Sequence, residues 1–148
     1  MTARILRSIR LLVECYHSFG NLSGAQIRTY GLTPPQFDII ATLGNTAGMS
    51  FKELGQKTLI TKGTLTGVVD RLEAKGLVKR VVLPEDRRST VVKLTAKGEA
   101  EFTRVFAPHV AFCRTPFDDY SDADFAALER ELAKLKTHLE RSRPGKQK

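Results

Sequence analysis

The sequence predicts a mainly α-helical chain carrying one small β-hairpin. Three observations predict it. Two short amphipathic stretches, each opened by a capping residue, follow one another closely between Ser50 and Lys75. β-Branched residues then gather in Val78–Leu83 and Ser89–Thr95, on either side of Pro84-Glu85-Asp86-Arg87-Arg88. Outside this middle part, apolar residues keep helical spacing: Ile5, Ile9, Leu12, Tyr16 and Phe19 near the start, Phe125, Leu128, Leu132, Leu135 and Leu139 near the end.

The first helix is defined by that 4, 3, 4, 3 stripe, widened by Leu6 and Val13. Gly20-Asn21 predicts a break or kink, with helix resuming from Leu22 to Tyr30 and stopping at Gly31. Thr33-Pro34-Pro35-Gln36 places a capping Thr, then Pro at the first helical position, then Gln where a capping box needs it. Phe37, Ile40, Ala41 and Leu43 supply the apolar side, and Gly44 ends the helix. Ser50-Phe51-Lys52-Glu53 is a second capping box, opening a short helix to Lys57. Thr58-Leu59-Ile60 forms a turn, and Thr61 caps a longer helix to Lys75, closed by Gly76. Leu65, Val68, Val69 and Leu72 form its buried face, with Ile60 and Leu65 as a hydrophobic staple. The two β-branched segments make the hairpin, with a five-residue charged tip. From Ala96 the chain is helical again, with Phe102, Val105, Phe106, His109, Val110 and Cys113 in step and a kink or break expected at Pro108. Thr115-Pro116 interrupts, and Ser121 caps the final helix.

The 148 residues are enough for one ordinary domain, with 41% hydrophobic and 27% charged residues, as in a globular chain. No apolar run approaches a membrane span, and the N-terminus alternates basic and apolar residues without the core of a secretory signal, so the expected location is the cytoplasm. The net charge is +8. Residues 52–97 hold eleven Lys/Arg against five Asp/Glu, a net of +6, while the tail from Arg141 to Lys148 adds +4. A polyanionic partner would therefore meet the middle third.

A short helix, a tight turn and a longer capped helix make a helix-turn-helix, and the hairpin after it makes that a winged helix. The second helix has the diameter of the DNA major groove, and its free N–H groups attract phosphate. Its outer face shows Lys62, Thr64, Thr66, Gly67, Asp70, Arg71 and Lys75. Lys62 and Arg71 suit phosphates or guanine edges, and Thr64 and Thr66 suit bases or thymine methyls. Gly63 and Gly67 each cost about 1 kcal/mol relative to Ala, a cost explained by close approach of another surface or by close packing inside the protein. Arg87 and Arg88, on opposite strand faces, divide two roles: one enters the minor groove, the other pairs with Asp86 or Asp70. Which does which stays open.

The segments LTPPQFDIIATL and SFKELGQKTLITKGTLTGVVDRLEAKGLVKRVVLPEDRRSTVVKLTAKG resemble the MarR family of bacterial transcription regulators over residues 32–98. VDRLEAKGLVKR and EDRRS…LTAKG are the most diagnostic pieces. The resemblance implies a winged helix-turn-helix flanked by dimerisation helices: residues 1–31, a DNA-binding domain 32–98, helices 99–140 and a disordered basic tail 141–148. It implies a homodimeric repressor on a pseudo-palindromic double-stranded operator, with half-sites about 10 base pairs apart. The DNA-binding set is then Ser50, Lys62, Gly63, Thr64, Thr66, Arg71, Arg87 and Arg88, with Asp70 and Asp86 in wing-supporting ion pairs. Small phenolic or carboxylate effectors release many members. The crevice between the first helix, the Phe37 helix and the helix after Ala96 offers His17, Phe37 and Arg104 to such a ligand.

Another branch of the family switches through a cysteine in the first helix, where Cys15 lies, although here it is closer to LTPPQ than in that branch. The competing expectation for Cys15 and Cys113 is that both are small buried hydrophobes. Two cysteines and three scattered histidines give no metal site, and no cofactor is expected. Walker, GxGxxG, HExxH and GxSxG motifs are missing, so no enzyme is expected. A winged helix used only as a protein-interaction scaffold is the remaining alternative, and the basic tip and face argue against it.

Overall fold

The structure, a computed structural model, describes residues 1–145, apart from the side chains of Arg87 and Arg88. Its elements in order are α1 (Thr2–Thr29), α2 (Pro34–Leu43), β1 (Met49–Ser50), α3 (Phe51–Thr58), α4 (Lys62–Ala74), β2 (Val78–Leu83), β3 (Asp86–Leu94), α5 (Ala96–Arg114), a 3₁₀ turn (Thr115–Phe117) and α6 (Asp122–Arg141). The chain divides into two compact units, Met1–Cys113 and Arg114–Lys148.

In the first unit, three antiparallel strands lie in the order β1-β3-β2. Met49 pairs with Val92, and Val78 with Leu94, so the sheet joins the wing to the entrance of α3. One hydrophobic core runs through the unit, from Ile27 and Leu32 through Phe37, Ile39, Ile40 and Leu43 to Leu54, Leu65, Val69, Leu72, Val92 and Val105. Each such side chain contributes roughly 1.5–3 kcal/mol by leaving water. Gly98, at the start of α5, lies so close to the Leu77 carbonyl that a Cβ there would collide with it. That close approach seats α5 against the sheet.

The capping box expected at Thr33 forms. Thr33 Oγ1 accepts the Gln36 N–H at 3.3 Å and Gln36 Oε1 accepts the Thr33 N–H at 3.1 Å. Ser121 and Asp124 close an equivalent box at α6. At α3 only one half forms: Ser50 Oγ accepts the Glu53 N–H at 3.1 Å, while the Glu53 carboxylate lies 3.6 Å from Lys57 Nζ.

Several expectations are corrected. α1 is one helix through Gly20-Asn21, because a single glycine costs only about 1 kcal/mol in a helix this long. α5 continues through Pro108, which removes one backbone bond without ending the helix. The interhelical link is Leu59–Thr61, one residue later than read, because Leu59 takes the left-handed conformation with φ 60° and so ends α3. β3 begins at Asp86 instead of Ser89, leaving Pro84-Glu85 as the turn, with a register shift after Val82. Cys15 is exposed and Cys113 half-buried, so neither is a buried hydrophobe. The first half of α1 is exposed, Cys15 included.

In the second unit, the rings of Phe117, Tyr120 and Phe125 meet at 5.1–5.5 Å around the α6 cap. Arg141 ends α6, and of the basic tail expected to be disordered, Lys146–Lys148 lie outside the described residues.

Candidate nucleic-acid interface

α4 is held by α2, α3 and β2, which cover Leu65, Val68, Val69 and Leu72 to 5% exposure or less. The opposite ridge is formed by Gly63 and Gly67, one turn apart. A Cβ at either glycine would meet nothing within 4 Å. Internal packing therefore does not explain them, and the ridge is free for another surface to approach the backbone. Lys62 and Thr66 flank the ridge on one side, Thr64 and Arg71 on the other, and all four are exposed. Lys62 and Arg71 have no ion-pair partner among the described residues.

The N-terminus of α4 is open. Thr61 stands at the N-cap, as read, but makes no side-chain cap bond. Its hydroxyl donates to Thr64 Oγ1 at 3.2 Å instead. The first intrahelical bond runs from Leu65 N–H to Thr61 C=O at 2.8 Å. The N–H groups ahead of it point outward, where an anion is favoured. Ser50 is exposed, and its Oγ is already engaged in capping α3.

Asp70 stands in an ion pair with the wing, with a partner that the sequence did not suggest. Asp70 accepts from Arg80 Nη2 at 2.5 Å, and Glu73 accepts from Arg80 Nη1 at 2.8 Å. Asp70 thus pairs with the middle of β2, where Arg87 or Arg88 had been expected. These hydrogen bonds, with burial opposing them, raise the Arg80 pKa above its ordinary value. Asp86 accepts from Ser89 Oγ at 2.9 Å. The division of roles between Arg87 and Arg88 concerns side chains outside the described residues. Sequence reading missed Arg80, although strand alternation signals it: Arg80 shares a strand face with Val78, which is buried.

The expected meeting of α1, α2 and α5 is present, with a different set of residues. Phe37 is buried, its ring edge-on to His109 at 4.5 Å. His109 Nδ1 lies 2.7 Å from Gln26 Oε1, and Nε2 lies 3.0 Å from Ser23 Oγ and 3.3 Å from Cys113 Sγ. A neutral ring with its proton on Nδ1 donates to Gln26 and accepts from the nearer donor, the Ser23 hydroxyl. Burial lowers the His109 pKa and raises that of Cys113. His17 is not in this cluster; it is exposed on α1, with its ring 5.9 Å from that of Tyr16. Arg104 is exposed, paired with Glu101 at 2.5 Å and donating to the Tyr30 carbonyl at 3.0 Å. The missed residue, His109, was signalled by its i+4 position from Val105 on the buried side of α5. A cavity of about 570 Å³ lies elsewhere, between α3 and α4, with Phe51, Gly55, Ile60 and Leu65 as apolar walls and Lys52 and Lys62 at its edge.

No group of three metal-binding side chains, and no helix long and apolar enough to cross a membrane, occurs among the described residues.

Residues 30–89 match the MarR family. The transcriptional regulator MhqR of Bacillus subtilis is 32% identical over 111 residues, covering 75% of this chain and 77% of that protein. The chain belongs to the MarR family. It is a transcriptional regulator of that family and not an enzyme. Among solved structures, AbsC, a MarR-family regulator from Streptomyces coelicolor, superposes with a TM-score of 0.83 at 26% identity, over 91% of this chain and 93% of that one. BpsR of Bordetella bronchiseptica, whose DNA binding is regulated by 6-hydroxynicotinic acid, superposes with a TM-score of 0.76 at 25% identity, over 88% of this chain and 98% of that one.

Proposed function

We propose that this MarR-family chain is a homodimeric repressor that binds a pseudo-palindromic DNA site and leaves it when a small aromatic acid or phenol binds. The observation that carries the DNA reading is the outer ridge of α4. Two glycines there face open space, between cations that have no ion-pair partner among the described residues and beside an open helix N-terminus. Lys62 and the free N–H groups take phosphates, Thr64, Thr66 and Arg71 read base edges, and Gly63 lets the backbone come close. Ser50 adds a contact at the start of α3. One of Arg87 and Arg88 supplies the wing's reach into the minor groove.

Dimerisation is supported by the apolar stripe of α1, where Ile5, Ile9, Leu12, Tyr16 and Phe19 are 40–76% exposed. Effector release is supported by the regulation of BpsR by an aromatic acid and by the polar cluster of Ser23, Gln26 and His109 against Phe37. A ligand there acts by favouring a spacing of the two α4 helices that does not fit the operator. The protein works in the cytoplasm, where its DNA is. Cys15 is exposed, so a redox switch through it is directly testable: alkylation that leaves operator affinity unchanged removes that reading.

Selection of bound fragments from a random duplex pool tests the function. A two-fold symmetric winner that survives excess nonspecific DNA is expected. Its affinity should fall with salt at a slope of about −0.9 per neutralised phosphate. Binding without sequence enrichment would refute the reading.

A further inference from the structure

Arg80 is a cation of the winged helix to which the DNA reading gives no part. It lies on β2 opposite Val92 of β3, and its side chain is 29% exposed. The guanidinium bonds two carboxylates of α4, Asp70 at 2.5 Å and Glu73 at 2.8 Å, which stand one turn apart on the same side of the helix. Its carbon also lies 5.5 Å from the centre of the Phe51 ring, at the first position of α3. One side chain thus touches the wing, the recognition helix and the start of the preceding helix.

The charges decide what this can do. One guanidinium faces two carboxylates, so the cluster is net negative and repels phosphate. Asp70 and Glu73 keep 59% and 43% of their surface exposed, a setting in which ion pairs add little to stability. What the planar fork supplies is geometry: it fixes two carboxylates and an aromatic face together, which a lysine ammonium cannot do.

We propose that Arg80 is a positioning residue for sequence-specific DNA recognition, setting the wing and α4 at the separation that lets both reach one half-site, without contacting phosphate itself. The proposal rests on the DNA-binding reading above.

Arg80→Lys, Arg80→Gln and Phe51→Leu proteins test it, titrated with the selected duplex and with an unrelated duplex over a range of salt. Arg80→Lys is expected to lose about tenfold or more at the selected site and less than about twofold on unrelated DNA, with an unchanged salt slope. Phe51→Leu, which keeps both carboxylate bonds, is expected to lose a few-fold at the selected site only. A phosphate contact would give the opposite pattern: Arg80→Gln lowering the slope by about 0.9 while Arg80→Lys keeps full affinity. That result, full affinity in both variants, or equal loss on both duplexes, would overturn the proposal. If the wild-type chain enriches no sequence, the DNA-binding reading itself fails, which separates the two failures.

Discussion

α4 and the first half of α1 obey the same spacing rule and end in opposite states. In α4, Leu65, Val68, Val69 and Leu72 are 5% exposed or less. In α1, Ile5, Ile9, Leu12, Tyr16 and Phe19 repeat as regularly and stay 40–76% exposed. The difference is in what stands opposite. α4 meets α2, α3 and β2. Near its C-terminal end α1 meets the core, where Ser23, Gly24 and Ile27 are buried. α6 has the same character, with Leu132, Leu135 and Leu139 41–56% exposed. Helical periodicity therefore tells that a face has a partner, and only packing tells whether the partner is in the same chain. The dimer proposed above would cover these faces.

The largest expected effect strikes those faces. Ile9→Glu with Leu12→Glu should convert the proposed dimer to monomer at micromolar concentration and lower operator affinity by about 100-fold or more, since each half-site is then bound alone. Sedimentation equilibrium gives the mass, and an unchanged two-chain mass would mean that the stripe is not the interface. Next, Leu72→Ala empties a site with 0% exposure in the α4 core. It should cost about 2–5 kcal/mol in urea unfolding. A loss below about 1 kcal/mol would contradict the contrast between the two helices.

The α1–α5 junction should show a pH dependence. Burial holds the His109 pKa below its ordinary 6.5 in the folded chain. Below that value the unfolded chain takes up a proton that the folded chain resists. The contribution is therefore fully present above about pH 6.5 and falls as pH drops toward the folded pKa. Urea midpoints measured from pH 8 to pH 5 should decline less in His109→Gln than in the wild type; parallel curves would place the titration elsewhere. The smallest effect belongs to the glycine ridge. Gly63→Ala and Gly67→Ala meet no steric obstacle and should each stabilise α4 by roughly 0.5–1 kcal/mol. Operator affinity should fall at the same time. A protein that gains stability and keeps full affinity would show that nothing approaches the ridge.

The winged helix was readable where local chemistry decides structure. The caps at Thr33, Ser50 and Ser121, the buried quartet of α4 and the Val78–Leu83 strand follow from side-chain reach and periodicity alone. Errors arose where one residue type was given too much weight. Gly20 and Pro108 were expected to break helices that have enough neighbouring bonds to continue. The tip of the hairpin is narrower than its charged residues suggest, because Asp86 already belongs to β3.

The site was readable on α4 and less so around it. Lys62, Thr64, Thr66 and Arg71 stand outside because their buried neighbours fix the rotation of the helix. The importance of His109 comes from partners distant in sequence, such as Gln26, 83 residues away, and that of Arg80 from carboxylates on the neighbouring helix α4, which strand alternation alone does not reveal. His17 was offered to a crevice that begins about two turns further along α1, at Ser23.

The central claim is that two winged helices, brought together by the uncovered faces, read one duplex. Hydroxyl-radical footprinting of the selected duplex tests it most directly. Two symmetric patches of protection, centred about 10 base pairs apart on one side of the helix, are predicted. A single patch, or protection without symmetry, would contradict it.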